Sequence, residues 1–223
     1  MARADEIRAN LRDLEARIAA ACERGGRRRE EVLLIAVTKT FPAADVVHAL
    51  EAGMTDVGEN RVQEARDKQP SVTASGRWHL IGHLQSNKAK DAVRLFDVIQ
   101  TVDSVALAEK LARAAEGQGK RQEVLIEVNA GREPQKSGID PAETDALVKQ
   151  LAAFPSLQLR GLMAIPPAGE KEEVRPYFRE LRTMRDALGL EHLSMGMSDD
   201  FEVAIEEGST MIRLGRAIFG ARG

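Results

Sequence analysis

The segment LLIAVTKTFP, Leu33 to Pro42, places a lysine where a buried strand should end. Leu33 to Val37 is an unbroken apolar run with β-branched members, which reads as a strand covered on both faces. Pro42 stops it, and the following AADVVHALEAG has helical apolar spacing. Lys39 therefore sits at a strand-to-helix turn.

The same alternation continues along the chain. Upstream, Ile7, Leu11, Leu14 and Ile18 are spaced as one apolar stripe on a helix. Downstream, strand-like runs begin near Asp56, Arg77, Phe96, Glu123, Leu157, His192 and Thr210, in TDVGEN, RWHLIGHL, FDVIQTVDS, EVLIEVN, LQLRGLMAI, HLSMG and TMIRLG. Between them lie amphipathic stretches such as SVALAEKLARAAEG, PAETDALVKQLAAF, EVRPYFRELRTMRDALG and DDFEVAIEEG. Eight strand units alternating with helices predict a single (β/α)8 TIM barrel, one domain over residues 1–223, with an extra N-terminal helix. An open doubly wound sheet is the alternative, but no GxGxxG follows the first strand and no linker-like stretch divides the chain.

Composition narrows the function classes. Lys and Arg number 32 against 35 Asp and Glu, a formal charge of -3, so no global basic field points to nucleic acid. The cluster Arg24 to Arg29 runs straight into Glu30 and Glu31 and reads as a solvated connector. Cys22 is the sole cysteine, which excludes an internal disulfide framework and a thiolate metal cluster. The N-terminus is charged throughout, unlike a signal peptide, and no apolar run approaches the ~20 residues of a membrane span. A cytoplasmic protein without a membrane partner is expected.

In a barrel, reactive side chains gather where the strands end and the βα loops converge. The residues at these predicted ends are Lys39; Glu59 and Asn60; His79 and His83; Asp103; Asn129; Met163; Ser194 and Ser198; and Arg213 with Gly215. Lys39 is either a rim lysine whose stem lies on apolar surface or a Schiff-base amine made nucleophilic by its surroundings. Ser198 is either the N-cap of the helix in DDFEVAIEEG or a hydroxyl facing a ligand. Gly215 either serves turn geometry or lets backbone N–H groups approach a phosphate at the start of the helix in AIFG.

Six linked stretches carry a resemblance: AVTKTFP, VGENRVQEARDK, WHLIGHLQSNKAK, NAGREPQKSG, LRGLMAIP and LSMGMSDDFEVAIEEGSTMIRLGRAIFGAR. They closely resemble the family of pyridoxal phosphate homeostasis proteins, also called the PLP-binding YggS/PROSC family, in the family's order from about Leu33 to Arg222. The resemblance implies a barrel like the N-terminal domain of alanine racemase, with pyridoxal 5'-phosphate (PLP) held as a Schiff base on Lys39. It implies that Ser198 and the backbone of Gly215 and Arg216 hold the phosphate, and that Arg213 faces the pyridine nitrogen. Asn60 and His79 would lie near the ring and its lysine. Thr38 and Phe41 depart from the family pattern, standing where many members have the serine and second lysine of SKTKP. The residues supply what PLP needs: an amine, an anion site and a ring-nitrogen partner.

Racemisation at PLP uses a base on each face of the ring, and in alanine racemase the second is a tyrosine from another domain. The only tyrosine here is Tyr177, which falls on a predicted outer helix and reads as packing. The expected function is therefore a non-catalytic PLP carrier or regulator in intracellular PLP homeostasis, a monomer passing PLP to apo PLP-dependent enzymes. A PLP-dependent amino-acid racemase of low activity, with His79, His83 or water as the second base, and a cofactor-free Schiff-base lyase are the alternatives. No metal is expected, since His79 and His83 lack a third ligand in register. Trp78 reads as core. Met163 reads as core or ring contact, and the loop bearing Lys136 as a lid or a packed loop turning at Gly138. In LQSNKAK, Ser86 or Asn87 is expected to cap a helix.

Overall fold

The computed structural model describes residues 2–220. Each apolar run forms a strand: β1 (Leu33–Val37), β2 (Asp56–Glu59), β3 (Arg77–Leu80), β4 (Val98–Val102), β5 (Gln122–Val128), β6 (Leu157–Ala164), β7 (His192–Ser194) and β8 (Met211–Leu214). They pair in chain order, all parallel, and β8 returns to β1 with Ala36 opposite Leu214, closing the barrel. Parallel neighbours need a crossover, and the amphipathic stretches supply it. These are α2 (Ala43–Glu51), α3 (Val62–Lys68), α4 (Ala89–Leu95), α5 (Val105–Glu116), α6 (Thr144–Leu151), α7 (Lys171–Ala187), α8 (Phe201–Glu206) and α9 (Arg216–Phe219), after the N-terminal α1 (Arg3–Arg24).

Two apolar layers result. Ile35, Val98, Leu125, Met163 and Met211 fill the inside of the barrel, which settles Met163 as core. A larger layer, Trp78 included, lies between strands and helices. Helix α1 packs Ile7, Leu14 and Ile18 against α2, α8 and α9, across the seam where β8 meets β1. Arg3 fixes it there, donating to Asp45 at 2.7 Å and to the Phe219 carbonyl at 2.8 Å.

Some local expectations are corrected. The arginine run after α1 is a clasp rather than a solvated connector. Arg27 donates to the carbonyls of Ile205 and Ser209, Arg24 pairs with Glu206 at 2.7 Å, and Arg29 pairs with Glu15. Neither Ser86 nor Asn87 makes a side-chain cap. That stretch opens as a 3-10 turn (Ser86–Lys88), and the Ser86 hydroxyl accepts from Lys110 at 2.7 Å. Helix α3 is short and mostly polar, so its apolar period gave no sequence signal.

Candidate functional site

At the C-terminal end of β1 the chain turns at Lys39, which is partly buried. The preceding Thr38 is wholly buried, and its hydroxyl donates to Glu59 Oε1 at 2.7 Å. The following Thr40 takes a left-handed φ of 70°, and Phe41 then swings inward to pack on Phe219, with ring centroids 4.8 Å apart. The Phe41 departure from the family pattern thus puts an apolar ring between the Lys39 turn and α9.

Strand β8 ends beside β1. A Cβ built on Gly215 would stand 3.2 Å from the Val37 carbonyl oxygen, so a side chain there crowds the base of the lysine turn. Arg216 and Ala217 open α9, where N–H groups have no intrahelical acceptor. The Arg216 guanidinium turns outward to Asp199, so only its backbone addresses this corner. Ser198 lies partly buried in the turn before α8. The N-cap position of that helix falls on Asp200, whose Oδ1 accepts from the Met197 N–H at 2.6 Å, so Ser198 is not the cap. Asn60 follows β2, partly buried, and its backbone lies where a Cβ on Gly82 would stand, 2.3 Å from the Asn60 carbonyl oxygen.

Arg213 points into the barrel. One guanidinium nitrogen donates to Ser194 Oγ at 2.7 Å and another to the Ala164 carbonyl at 2.9 Å. Burial lowers its pKa to about 10, against the pull of Asp200 and Glu127, so it stays charged at neutral pH. From Ser194 a chain of hydrogen bonds runs through the interior. Ser194 Oγ donates to Gln100 Oε1 at 2.7 Å, Gln100 Nε2 donates to His79 Nδ1 at 2.9 Å, and His79 Nε2 donates to Asp56 Oδ1 at 2.7 Å. These roles follow from the hydrogen-bond network, which places the imidazole proton on Nε2. Burial pushes the Asp56 pKa up, but the bonds from His79 and Thr55 outweigh it and leave the carboxyl below its usual range. His79 thus has no exposed surface, and its hydrogen bonds tie Asp56 to Gln100, Ser194 and Arg213.

One buried carboxyl outside the expected set acts on Arg213. Glu127, on β5, has one buried carboxylate oxygen without a hydrogen-bond partner. Burial, and then Asp103, raise its pKa to about 7 although Arg213 pulls it down. A signal was present: Leu125, Glu127 and Asn129 share one strand face, and a carboxyl on an inward face is anomalous. Asn129 itself closes its loop, donating to the Glu133 carbonyl at 2.8 Å. Lys136 pairs with Glu133 and donates to the Pro166 carbonyl at 3.1 Å, while Gly138 turns at a φ of 106°, so this loop is packed. Among the described residues no cluster of three metal-ligating side chains exists, and His83 faces only Asp103 at 3.9 Å. Tyr177 packs from α7 against the outer core.

Fold and site together define the barrel type of the alanine racemase N-terminal domain, and the profile of that family, "Alanine racemase, N-terminal domain", matches residues 3–223. The chain belongs to this family. Within it, the chain is 44% identical to the pyridoxal phosphate homeostasis protein of Escherichia coli strain K12, over 98% of this chain and 97% of that one. It is 40% identical to PipY of Synechococcus elongatus PCC7942, a structure solved with PLP bound, at a TM-score of 0.86 over 96% of this chain and 100% of PipY. An alanine racemase from Streptomyces lavendulae shares the fold at 19% identity and a TM-score of 0.73, this chain covering 58% of its length.

Proposed function

We propose that this chain binds PLP through Lys39 and serves PLP homeostasis as a carrier or regulator rather than as a catalyst. The observation that carries the reading is the meeting of β1 and β8. It sets an amine-bearing turn, the opening N–H groups of α9 and a buried guanidinium on two adjacent strands. When bound, PLP supplies an aldehyde that condenses with an amine and a pyridine ring that withdraws electrons.

The residues fit that group. Gly215 keeps the approach to α9 open, and backbone N–H groups at a helix start suit a phosphate, with Ser198 on the neighbouring turn. Arg213 donates and has no acceptor, so a ring nitrogen facing it stays unprotonated and the ring is a weaker electron sink. Asn60 borders the mouth beside β2, and His79 acts by holding the chain of bonds that orients Arg213. Tyr177, the sole tyrosine, sits on α7 rather than at the mouth, so the racemase reading has no tyrosine base. One barrel carries the whole site, which supports treating residues 1–223 as one domain. Apo PLP-dependent enzymes in the cytoplasm are the proposed recipients and the monomer the proposed form. Among the described residues no helix is long and apolar enough to cross a membrane.

The test is borohydride reduction of PLP-treated protein with mass mapping of the adduct. The expected result is one stoichiometric adduct on Lys39, absent from Lys39→Ala; an unmodified Lys39 would sink the proposal.

A further inference from the structure

We propose that Lys68 and Glu64 of α3, together with Glu59 at the end of β2, are positioning residues that clamp the backbone on both sides of Lys39 and so aim its amine. The inference rests on the PLP reading and goes beyond it by naming what holds the reactive side chain in place.

Lys68 Nζ donates to the carbonyl oxygen of Thr38 at 2.7 Å and to Glu59 Oε1 at 2.6 Å. That carbonyl belongs to the peptide unit joining Thr38 to Lys39, so the bond fixes the plane from which the Lys39 Cα departs. Glu59 Oε1 also accepts from the Thr38 hydroxyl at 2.7 Å, and the Thr38 N–H donates to the Gly58 carbonyl at 2.9 Å. On the other side of Lys39, the Thr40 N–H donates to Glu64 Oε2 at 3.1 Å, and Lys68 stands 3.7 Å from that same oxygen. One turn of α3 thus grips both neighbours of Lys39, and Thr40 keeps its left-handed φ under that grip.

The cluster is a poor device for stability. Glu59 is wholly buried, the Lys68 side chain is 13% exposed, and Glu59 Oε2 has no hydrogen-bond partner. Buried ion pairs are commonly no more stable than apolar residues of the same volume, and an unsatisfied carboxylate oxygen adds desolvation cost. Their attested use is to fix geometry, and the geometry fixed here is that of the residue whose amine must meet an aldehyde. Burial raises the Glu59 pKa although Lys68 and Thr38 act against it, which fits a carboxyl held for its place.

The test separates aiming from folding by using two ligands. PLP carries the aldehyde; pyridoxine 5'-phosphate has the same ring and phosphate but cannot form the imine. In Lys68→Met, PLP affinity is expected to fall about tenfold, since misplacing a reacting group costs at least that much, while pyridoxine 5'-phosphate binds as in the parent. Amide hydrogen exchange at Thr40 in the ligand-free protein should also quicken. Equal weakening of both ligands, or unchanged PLP affinity with unchanged exchange, overturns the clamp. Should Lys68→Met fail to fold, Glu64→Ala, which removes the Thr40 acceptor and the 3.7 Å contact with Lys68 but leaves the Lys68–Glu59 pair, is read the same way with about a threefold effect. A parent protein that takes no PLP on Lys39 refutes the PLP reading instead, and the exchange measurement still decides the clamp.

Discussion

Two buried polar regions of this barrel differ in one respect. The chain Asp56–His79–Gln100–Ser194–Arg213 runs through the interior with a partner on each linking atom, at 2.7 to 2.9 Å. At the mouth, Glu59 and Glu127 are comparably buried, yet each keeps one oxygen without a partner. A satisfied network inside low-dielectric surroundings rigidifies what it touches, whereas an orphan carboxylate oxygen is costly and persists where function demands it. The contrast separates a satisfied network around Arg213 from two carboxylates each left with an open oxygen.

The largest effect is expected from breaking the satisfied chain. His79→Leu leaves the Asp56 carboxylate buried without its main donor and Gln100 without its acceptor, and should destabilise the fold by about 3–5 kcal/mol in urea unfolding. A loss under 1 kcal/mol would show that the chain is not the scaffold described. Asp56 adds a pH signature. Its folded pKa lies below the unfolded one, so its contribution is present above about pH 4 and lost as pH falls through the folded value. The stability gap between the parent and Asp56→Asn should close in acid.

Glu127 should behave in the opposite sense. Its folded pKa of about 7 exceeds the ordinary glutamate value of about 4.5, so the native state holds the proton longer and loses stability as pH rises between these values. Glu127→Gln, which cannot ionise, should gain on the parent over that window, levelling off near a difference of about 3 kcal/mol in the ligand-free protein. A pH-independent difference would place the Glu127 carboxyl in water. The smallest effect belongs outside both regions. Arg113 and Glu109 form an exposed i,i+4 pair on α5, and Arg113→Ala should shift stability by no more than about 0.5 kcal/mol.

The two regions were unequally legible in the sequence. Lys39 stood out because a charge follows an apolar run ended by proline, and Arg213 and Gly215 because they fall at the C-terminal end of the last strand. His79 was visible as a residue but not as part of a chain, since Asp56, Gln100 and Ser194 lie on different strands and meet only once the barrel closes. Lys68 offered no signal. Its stretch is mostly polar, and one of its partners is a backbone carbonyl that no side-chain pattern reports.

By itself the sequence determined a parallel α/β fold of eight strand units, because the alternation of short buried strands and amphipathic helices is a local property that parallel pairing and right-handed crossovers must follow, and the count of eight favoured closure over an open sheet. It also determined which residues stand at the strand ends. Only the tertiary structure decided which of them face inward, which are satisfied and which are left with an open oxygen. Those outcomes depend on register between strands distant in sequence and on the low dielectric that closure creates around them.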